Sequence, residues 1–147
     1  MLRMVVLFAL LIPVVSAVEE KPFEYRHKGM YREVHVRSRL TCDNKDLHGI
    51  PIVTVRLWER DLGTNAFIDS DDLVKVVEVP VNGKFYIAGG EHEMGGVNFY
   101  IQIIHKCGGT CREFTFNAGR SVKTEYELKN RGSKYRQCPK KMYPKAP

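Results

Sequence analysis

Val97-Asn98-Phe99-Tyr100-Ile101-Gln102-Ile103-Ile104-His105, then Lys106-Cys107-Gly108-Gly109-Thr110-Cys111, then Arg112-Glu113-Phe114-Thr115-Phe116-Asn117: this stretch, residues 97–117, decides the fold class. Phe99, Ile101 and Ile103 alternate with Tyr100, Gln102 and Ile104, the period of two expected of a strand with one face in a core. Phe114 and Phe116 repeat that period after a Gly-Gly turn, so the stretch reads as an antiparallel hairpin. Downstream, Val122, Thr124, Tyr126 and Leu128 give a further strand over 121–128, and a last short one is expected near 134–138. Upstream, Val34, Val36, Ser38 and Leu40 alternate with His35, Arg37, Arg39 and Thr41. Ile52 to Glu59 follows after the turn residues Asp43-Asn44-Lys45-Asp46 and Gly49-Ile50-Pro51, and the two runs are expected to pair as a hairpin. Leu73 to Val79 and Lys84 to Ala88 flank Asn82-Gly83, a dipeptide suited to the positive φ angles of a type I′ turn. Gly89-Gly90 and Gly95-Gly96 are expected to bracket an acidic loop holding Glu91, His92 and Glu93. Helical periodicity is nearly absent. Seven or eight short strands without intervening helices predict an all-β sandwich of two sheets.

The chain has 147 residues, 44% hydrophobic and 27% charged, which suits one domain with one core and excludes disordered, collagen-like and multi-span membrane classes. Its net charge of +6 is unevenly spread. From Arg120 onward nine Lys or Arg stand against two Glu, whereas residues 18–119 hold 13 basic and 15 acidic side chains. A near-neutral body with a basic final quarter suits anionic phospholipid headgroups, sulfated glycans or an acidic receptor face. The alternative is a solvated tail whose charge serves solubility.

Residues 1–17 read as a secretory signal peptide: Arg3, an apolar run from Met4 to Val15, then Val15-Ser16-Ala17 as the cleavage site. The run falls short of the roughly 20 apolar residues that span a bilayer. The expected organisation is therefore a signal peptide (1–17), a lead-in (18–33), a sandwich domain (34–138) and a basic tail (139–147), in an extracellular protein for which nucleic acid is no partner. Secretion makes Cys42, Cys107, Cys111 and Cys138 a disulfide set with three possible connectivities. A Cys107–Cys111 bridge across the turn with Cys42–Cys138 is expected. Cys42–Cys107 is the alternative, since both residues end strands.

In this order the residues resemble the nematode transthyretin-like family. The resemblance rests on Leu40-Thr41-Cys42, Gly49-Ile50-Pro51 and Val53-Thr54-Val55-Arg56-Leu57-Trp58-Glu59-Arg60-Asp61. It continues through Asp71-Asp72-Leu73, Asn82-Gly83-Lys84-Phe85, Gly89-Gly90, the block Tyr100 to Cys107, Cys111-Arg112 and a late Cys138. It covers roughly residues 34–138, with one departure: Asn117-Ala118-Gly119-Arg120 stands where family members often carry Ile-Pro and Tyr. The resemblance implies a transthyretin-like sandwich of seven or eight strands in a secreted protein. At least one member looks like a bridge between phosphatidylserine on dying cells and a phagocyte receptor, but no lipid-contacting residue carries over.

Transthyretin-related hydroxyisourate hydrolases share the fold, and His35-Val36 and Arg131-Gly132-Ser133 echo their motifs. The echo fails in position: His35 lies fourteen residues before Gly49, Asn130 stands in place of the tyrosine, and fourteen residues follow Ser133. Carriage of a small apolar ligand, as in transthyretin, is a further alternative and would need a tetramer channel. His105 is expected to be a satisfied structural histidine, Glu91-His92-Glu93 an exposed loop rather than a metal site, and Asp69, Asp71 and Asp72 an incomplete calcium loop. The reading is a non-catalytic extracellular binding or bridging module without a cofactor or metal. Arg131, Lys134, Arg136, Lys140 and Lys141 are its candidates for contact with an anionic surface, and a protein receptor is the other candidate partner.

Overall fold

A computed structural model describes residues 21–60, 71–92 and 97–147. The expected signal peptide, Asp69 and Glu93 lie outside these residues. Among the described residues nine strands follow in order: β1 (Phe23–Lys28), β2 (Tyr31–Thr41), β3 (Thr54–Glu59), β4 (Asp72–Glu78), β5 (Lys84–His92), β6 (Phe99–His105), β7 (Arg112–Asn117), β8 (Glu125–Glu127) and β9 (Ser133–Lys134). They form two packed sheets. One runs β1-β2-β5 with β8 also on β2, and the other runs β4-β3-β6-β7-β9. All pairs are antiparallel except β2 with β8.

The alternation in the sequence becomes the core. Val34, Val36, Leu40, Phe85 and Ile87 of the first sheet face Val55, Leu57, Ile101 and Ile103 of the second, all nearly or wholly buried. Burial of such side chains stabilises by roughly 1.5–3 kcal/mol each. The hairpin β6–β7 forms as expected, with Ile101 opposite Phe116 and Ile103 opposite Phe114.

Other expected pairings do not form. Residues 34–41 and 52–59 lie in opposite sheets, because Val34, Val36 and Leu40 meet Val55 and Leu57 across the core rather than beside them. The short connection after Cys42 instead makes its own turn. Asp43 and Asn44 both take φ 57°, and Cys42 and Lys45 exchange backbone hydrogen bonds of 2.9 and 3.3 Å. This is where the I′-type geometry occurs. At Asn82-Gly83 only Gly83 has positive φ, and its N–H donates to the Pro80 carbonyl at 2.8 Å as the chain crosses from β4 in one sheet to β5 in the other. A Cβ on Gly83 would come 1.9 Å from the Leu40 carbonyl oxygen, so the glycine is required by backbone approach as well as by φ.

Gly89 and Gly90 lie inside β5, which runs on to His92 rather than opening into a loop. A Cβ on Gly89 would lie 2.5 Å from Val74 Cγ1, since Val74 packs there from the irregular step in the β3–β4 register. The strand expected over 121–128 narrows to Glu125–Glu127, although Val122, Tyr126 and Leu128 are buried as the alternation requires. The sandwich exceeds 34–138 at both ends. β1 pairs along β2 from Phe23 opposite Val36 to Lys28 opposite Tyr31, and Tyr143 belongs to the core.

Candidate functional site

The basic end of the chain is a strap laid across one end of the five-stranded sheet. After β9, the Tyr135 N–H donates to the Cys111 carbonyl at 2.9 Å, beside the start of β7. Cys138 Sγ lies 3.2 Å from the carbonyl oxygen of His105 at the end of β6. The Ile52 N–H then donates to the Lys141 carbonyl at 2.8 Å, and the Tyr143 N–H to the Ile50 carbonyl at 2.9 Å, just before β3. Tyr143 pins the strap. Its buried hydroxyl accepts from the Val53 N–H at 3.1 Å and donates to the Val79 carbonyl, bridging β3 and β4 where their ladder opens. Burial raises the phenol above its usual pKa, against the Val53 hydrogen bond, so it keeps the proton it donates. The expected tail 139–147 is thus docked through Tyr143.

The disulfides pair differently from the expected set: Cys42–Cys107 and Cys111–Cys138, with Cα separations of 5.8 and 5.7 Å. Cys107 is buried in the core, where Cys42 reaches it from the other sheet, whereas Cys111 lies where the strap passes. One bridge ties the two sheets and the other ties the strap to β7.

The five proposed contact residues do not form one compact patch. The Arg131 guanidinium lies 5.3 and 5.5 Å from the ring centroids of Phe114 and Tyr126, so it packs on aromatic faces and is only half-exposed. Lys134 and Arg136 are exposed at the β9 edge, around a shallow cavity of about 430 Å³ shared with Glu113, Tyr135 and Gln137. Lys140 is exposed at the middle of the strap, and Lys141 sits 3.6 Å from Glu78 at the β4 edge. Among the described residues, Lys134, Arg136 and Lys140 are in no salt bridge. The segment 134–147 carries five cations, Lys134, Arg136, Lys140, Lys141 and Lys145, and no acidic side chain. It is a row of positive charge on a fixed support.

Its foundations are two titratable groups. His105 is fully buried, Nε2 3.1 Å from the Arg131 carbonyl and Nδ1 accepting the Cys107 N–H at 3.3 Å. That pattern suits the neutral ring, and burial lowers its pKa against the raising effect of the Arg131 carbonyl. It is a satisfied structural histidine. The Glu127 carboxylate accepts from the Thr41 hydroxyl (3.1 Å) and from the N–H groups of Asp43 (3.0 Å), Asn44 (2.7 Å) and Lys129 (2.8 Å). Burial works to raise its pKa, but those four donors hold it below the usual value. It thereby clamps the turn after Cys42 to the segment leading into the strap.

The hydrolase echo is not assembled. His35 lies on β2 in the four-stranded sheet, its Nδ1 2.6 Å from the Tyr86 hydroxyl and its Nε2 3.2 Å from Glu33. Ser133 lies on β9, at the edge of the other sheet. His92 packs its ring 4.9 Å from that of Tyr31, and among the described residues no three His, Cys, Asp or Glu side chains gather as a metal site. Among them, too, no helix is long and apolar enough to cross a membrane.

Two stacked sheets with a parallel β2–β8 pair, bridged by a core disulfide, define a transthyretin-like β-sandwich. The chain belongs to the transthyretin-like family: the model described as "TTR-52: Transthyretin-like family" matches residues 37–124, more than half of the sequence. Curated relatives come from Caenorhabditis elegans. Transthyretin-like protein 5 is 32% identical over 110 residues, covering 67% of this chain and 74% of that protein. Transthyretin-like protein 2 is 30% identical over 80 residues (54% and 52%), and transthyretin-like protein 46 is 33% identical over 76 residues (52% and 38%). The match thus spans about half of protein 2 and less of protein 46. No solved structure matches significantly.

Proposed function

We propose that this chain is a secreted bridging module whose basic strap rests on an anionic surface, such as a phosphatidylserine-bearing membrane, while another part of the sandwich meets a protein receptor. The observation that carries the reading is the strap: five cations and no acidic side chain between residues 134 and 147, held by Tyr143 and the Cys111–Cys138 bridge. Charges fixed on a support lose less conformational entropy on contact than charges on a free tail. Secretion is supported by residues 1–17 and by two disulfides, which persist in oxidising compartments.

Co-sedimentation with phosphatidylserine and phosphatidylcholine vesicles across salt concentration tests it. Selective binding to phosphatidylserine that weakens with salt is expected. Replacing Lys134, Arg136, Lys140 and Lys141 by Gln removes up to about 1 kcal/mol per cation near the surface, so affinity is expected to fall by up to about three orders of magnitude. Arg131→Gln is expected to act mainly on stability, because its guanidinium is packed on Phe114 and Tyr126. Unchanged binding by the fourfold variant sinks the proposal.

A further inference from the structure

The outer face of the five-stranded sheet carries an aromatic and polar surface. Val55, Leu57, Ile101 and Ile103 face the core, so the residues that alternate with them, Arg56, Trp58, Tyr100 and Gln102, face outward. In one row across this face Leu73, Trp58, Tyr100 and Asn117 stand in register, and Val76, Arg56, Gln102 and Thr115 stand in another. Leu73 and Val76 are 47% and 46% exposed. Trp58, Tyr100 and Gln102 are half-buried, and Thr115 and Asn117 are exposed.

The aromatic pair is held in place. The rings of Trp58 and Tyr100 are parallel within 6°, with centroids 6.3 Å apart. Trp58 Nε1 donates to Gln102 Oε1 at 3.0 Å, and Gln102 Nε2 donates to the Glu113 carboxylate at 2.5 Å. The Tyr100 hydroxyl donates to Asp71 at 2.8 Å, and the Arg60 guanidinium lies 5.1 Å from the centroid of the Tyr100 ring. Arg60 thus lies over Tyr100, which leaves the indole of Trp58 as the principal stacking surface. A ring fixed before contact loses little entropy on binding.

What surrounds that indole selects the ligand. Arg56 and Arg60 are matched by Asp71 and Glu113, so the surface favours neither an anion nor a cation. The remaining polar groups are uncharged: the amides of Gln102 and Asn117 and the hydroxyl of Thr115. After its two bonds Gln102 keeps a second N–H, and Glu113 keeps a second oxygen. A hexose has the matching build, because its axial C–H bonds lie against an aromatic face while its hydroxyls reach donors and acceptors at the rim. We propose that this face binds an uncharged oligosaccharide, one hexose stacked on Trp58 and the next hydrogen-bonded along Gln102, Thr115 and Glu113. From β3 to β7 the surface spans two strand steps, about 10 Å, the length of about two hexoses in an extended chain. A sheet face rather than a cleft suits an extended β-1,4 chain. The site shares no residue with the strap.

Trp58 is the only tryptophan of the chain, so intrinsic fluorescence reads this site alone. Titration of the disulfide-bonded protein with cellohexaose, chitohexaose and maltohexaose is the test. A saturable change is expected with at least one of the β-1,4-linked hexamers, and a weaker one with maltohexaose, whose α-1,4 chain coils away from a flat face. Salt is expected to leave this binding unmoved, unlike contact of the strap with an anionic surface. In calorimetry Trp58→Phe, which shrinks the ring, is expected to weaken binding about tenfold. Thr115→Arg, an exposed change that lays a long side chain beside Gln102, is expected to weaken it at least as much with Tm unchanged. Lys140→Gln with Lys141→Gln is expected to keep oligosaccharide binding while weakening vesicle binding, which separates the two sites. No saturable change with either β-linked hexamer, tighter binding of maltohexaose, or binding that survives Thr115→Arg overturns the proposal. A concentration-dependent dimer in sedimentation that shifts Trp58 emission without sugar also overturns it, and assigns the face to a second copy of the chain.

Discussion

Replacing Tyr143 by Phe removes one oxygen from the strap and leaves two buried backbone groups without a partner. The Val53 N–H donates to that oxygen, and the Val79 carbonyl accepts from it. Val53 and Val79 are 0% and 2% exposed, so water does not replace the lost hydroxyl freely. Each orphaned group costs about 1–3 kcal/mol, and the ring itself still fills its place in the core. The expected loss is therefore about 2–6 kcal/mol, a fall on the order of 10 °C in Tm for a domain of this size. Urea denaturation should show a lower midpoint with an unchanged slope, because the surface exposed on unfolding is the same. Hydrogen exchange adds a local readout. The amides of Ile52 and Tyr143, which tie the strap to the start of β3, should lose protection before those of β6. The neighbouring Met142 is 54% exposed, and Met142→Ala should stay within about 0.5 kcal/mol of the parent. If Tyr143→Phe also falls within that range, or if the Ile52 and Tyr143 amides keep their protection, Tyr143 is not the strap's anchor.

Two further outcomes concern pH and covalent structure. His105 has a folded-state pKa below its ordinary 6.5, so its contribution is complete above that pH and is lost as pH falls toward the folded value. Glu127, held below 4.5, contributes stability above that pH that is lost as pH falls through its folded pKa. Stability measured against pH should thus decline in two acid limbs; His105→Gln is expected to remove the upper limb and Glu127→Gln the lower, and a single limb in the parent refutes the assignment. Proteolytic mapping without reduction should recover Cys42–Cys107 and Cys111–Cys138 peptides. Converting Cys42 and Cys107 to Ser, which opens a 65-residue separation, is expected to cost about 4 kcal/mol in chemical denaturation by the chain-entropy account.

The sequence by itself determined the fold class and most of the core, because a period of two is a local property that survives without knowledge of partners. Val34, Val36, Leu57, Ile101 and Ile103 are buried as their alternation requires, and the hairpin from Phe99 to Asn117 forms across its short loop. The cluster of cations near the end of the chain was equally legible, since charge is counted without coordinates. β1 was not: in a charged segment Phe23 packs against the core while Tyr25 is exposed, and β2 supplies the strand's pairing. Sheet membership was not legible either, because two apolar strands joined by a turn can pair side by side or face each other across a core. That choice set the disulfides, bringing Cys42 to Cys107 from the opposite sheet and leaving Cys111 to the strap. The tail became a strap for the same reason. Its anchor is one hydroxyl between two backbone groups about 90 and 64 residues away in sequence, Val53 and Val79. Alternation and charge are written along the chain. Which surfaces meet is decided by the joint burial of two sheets.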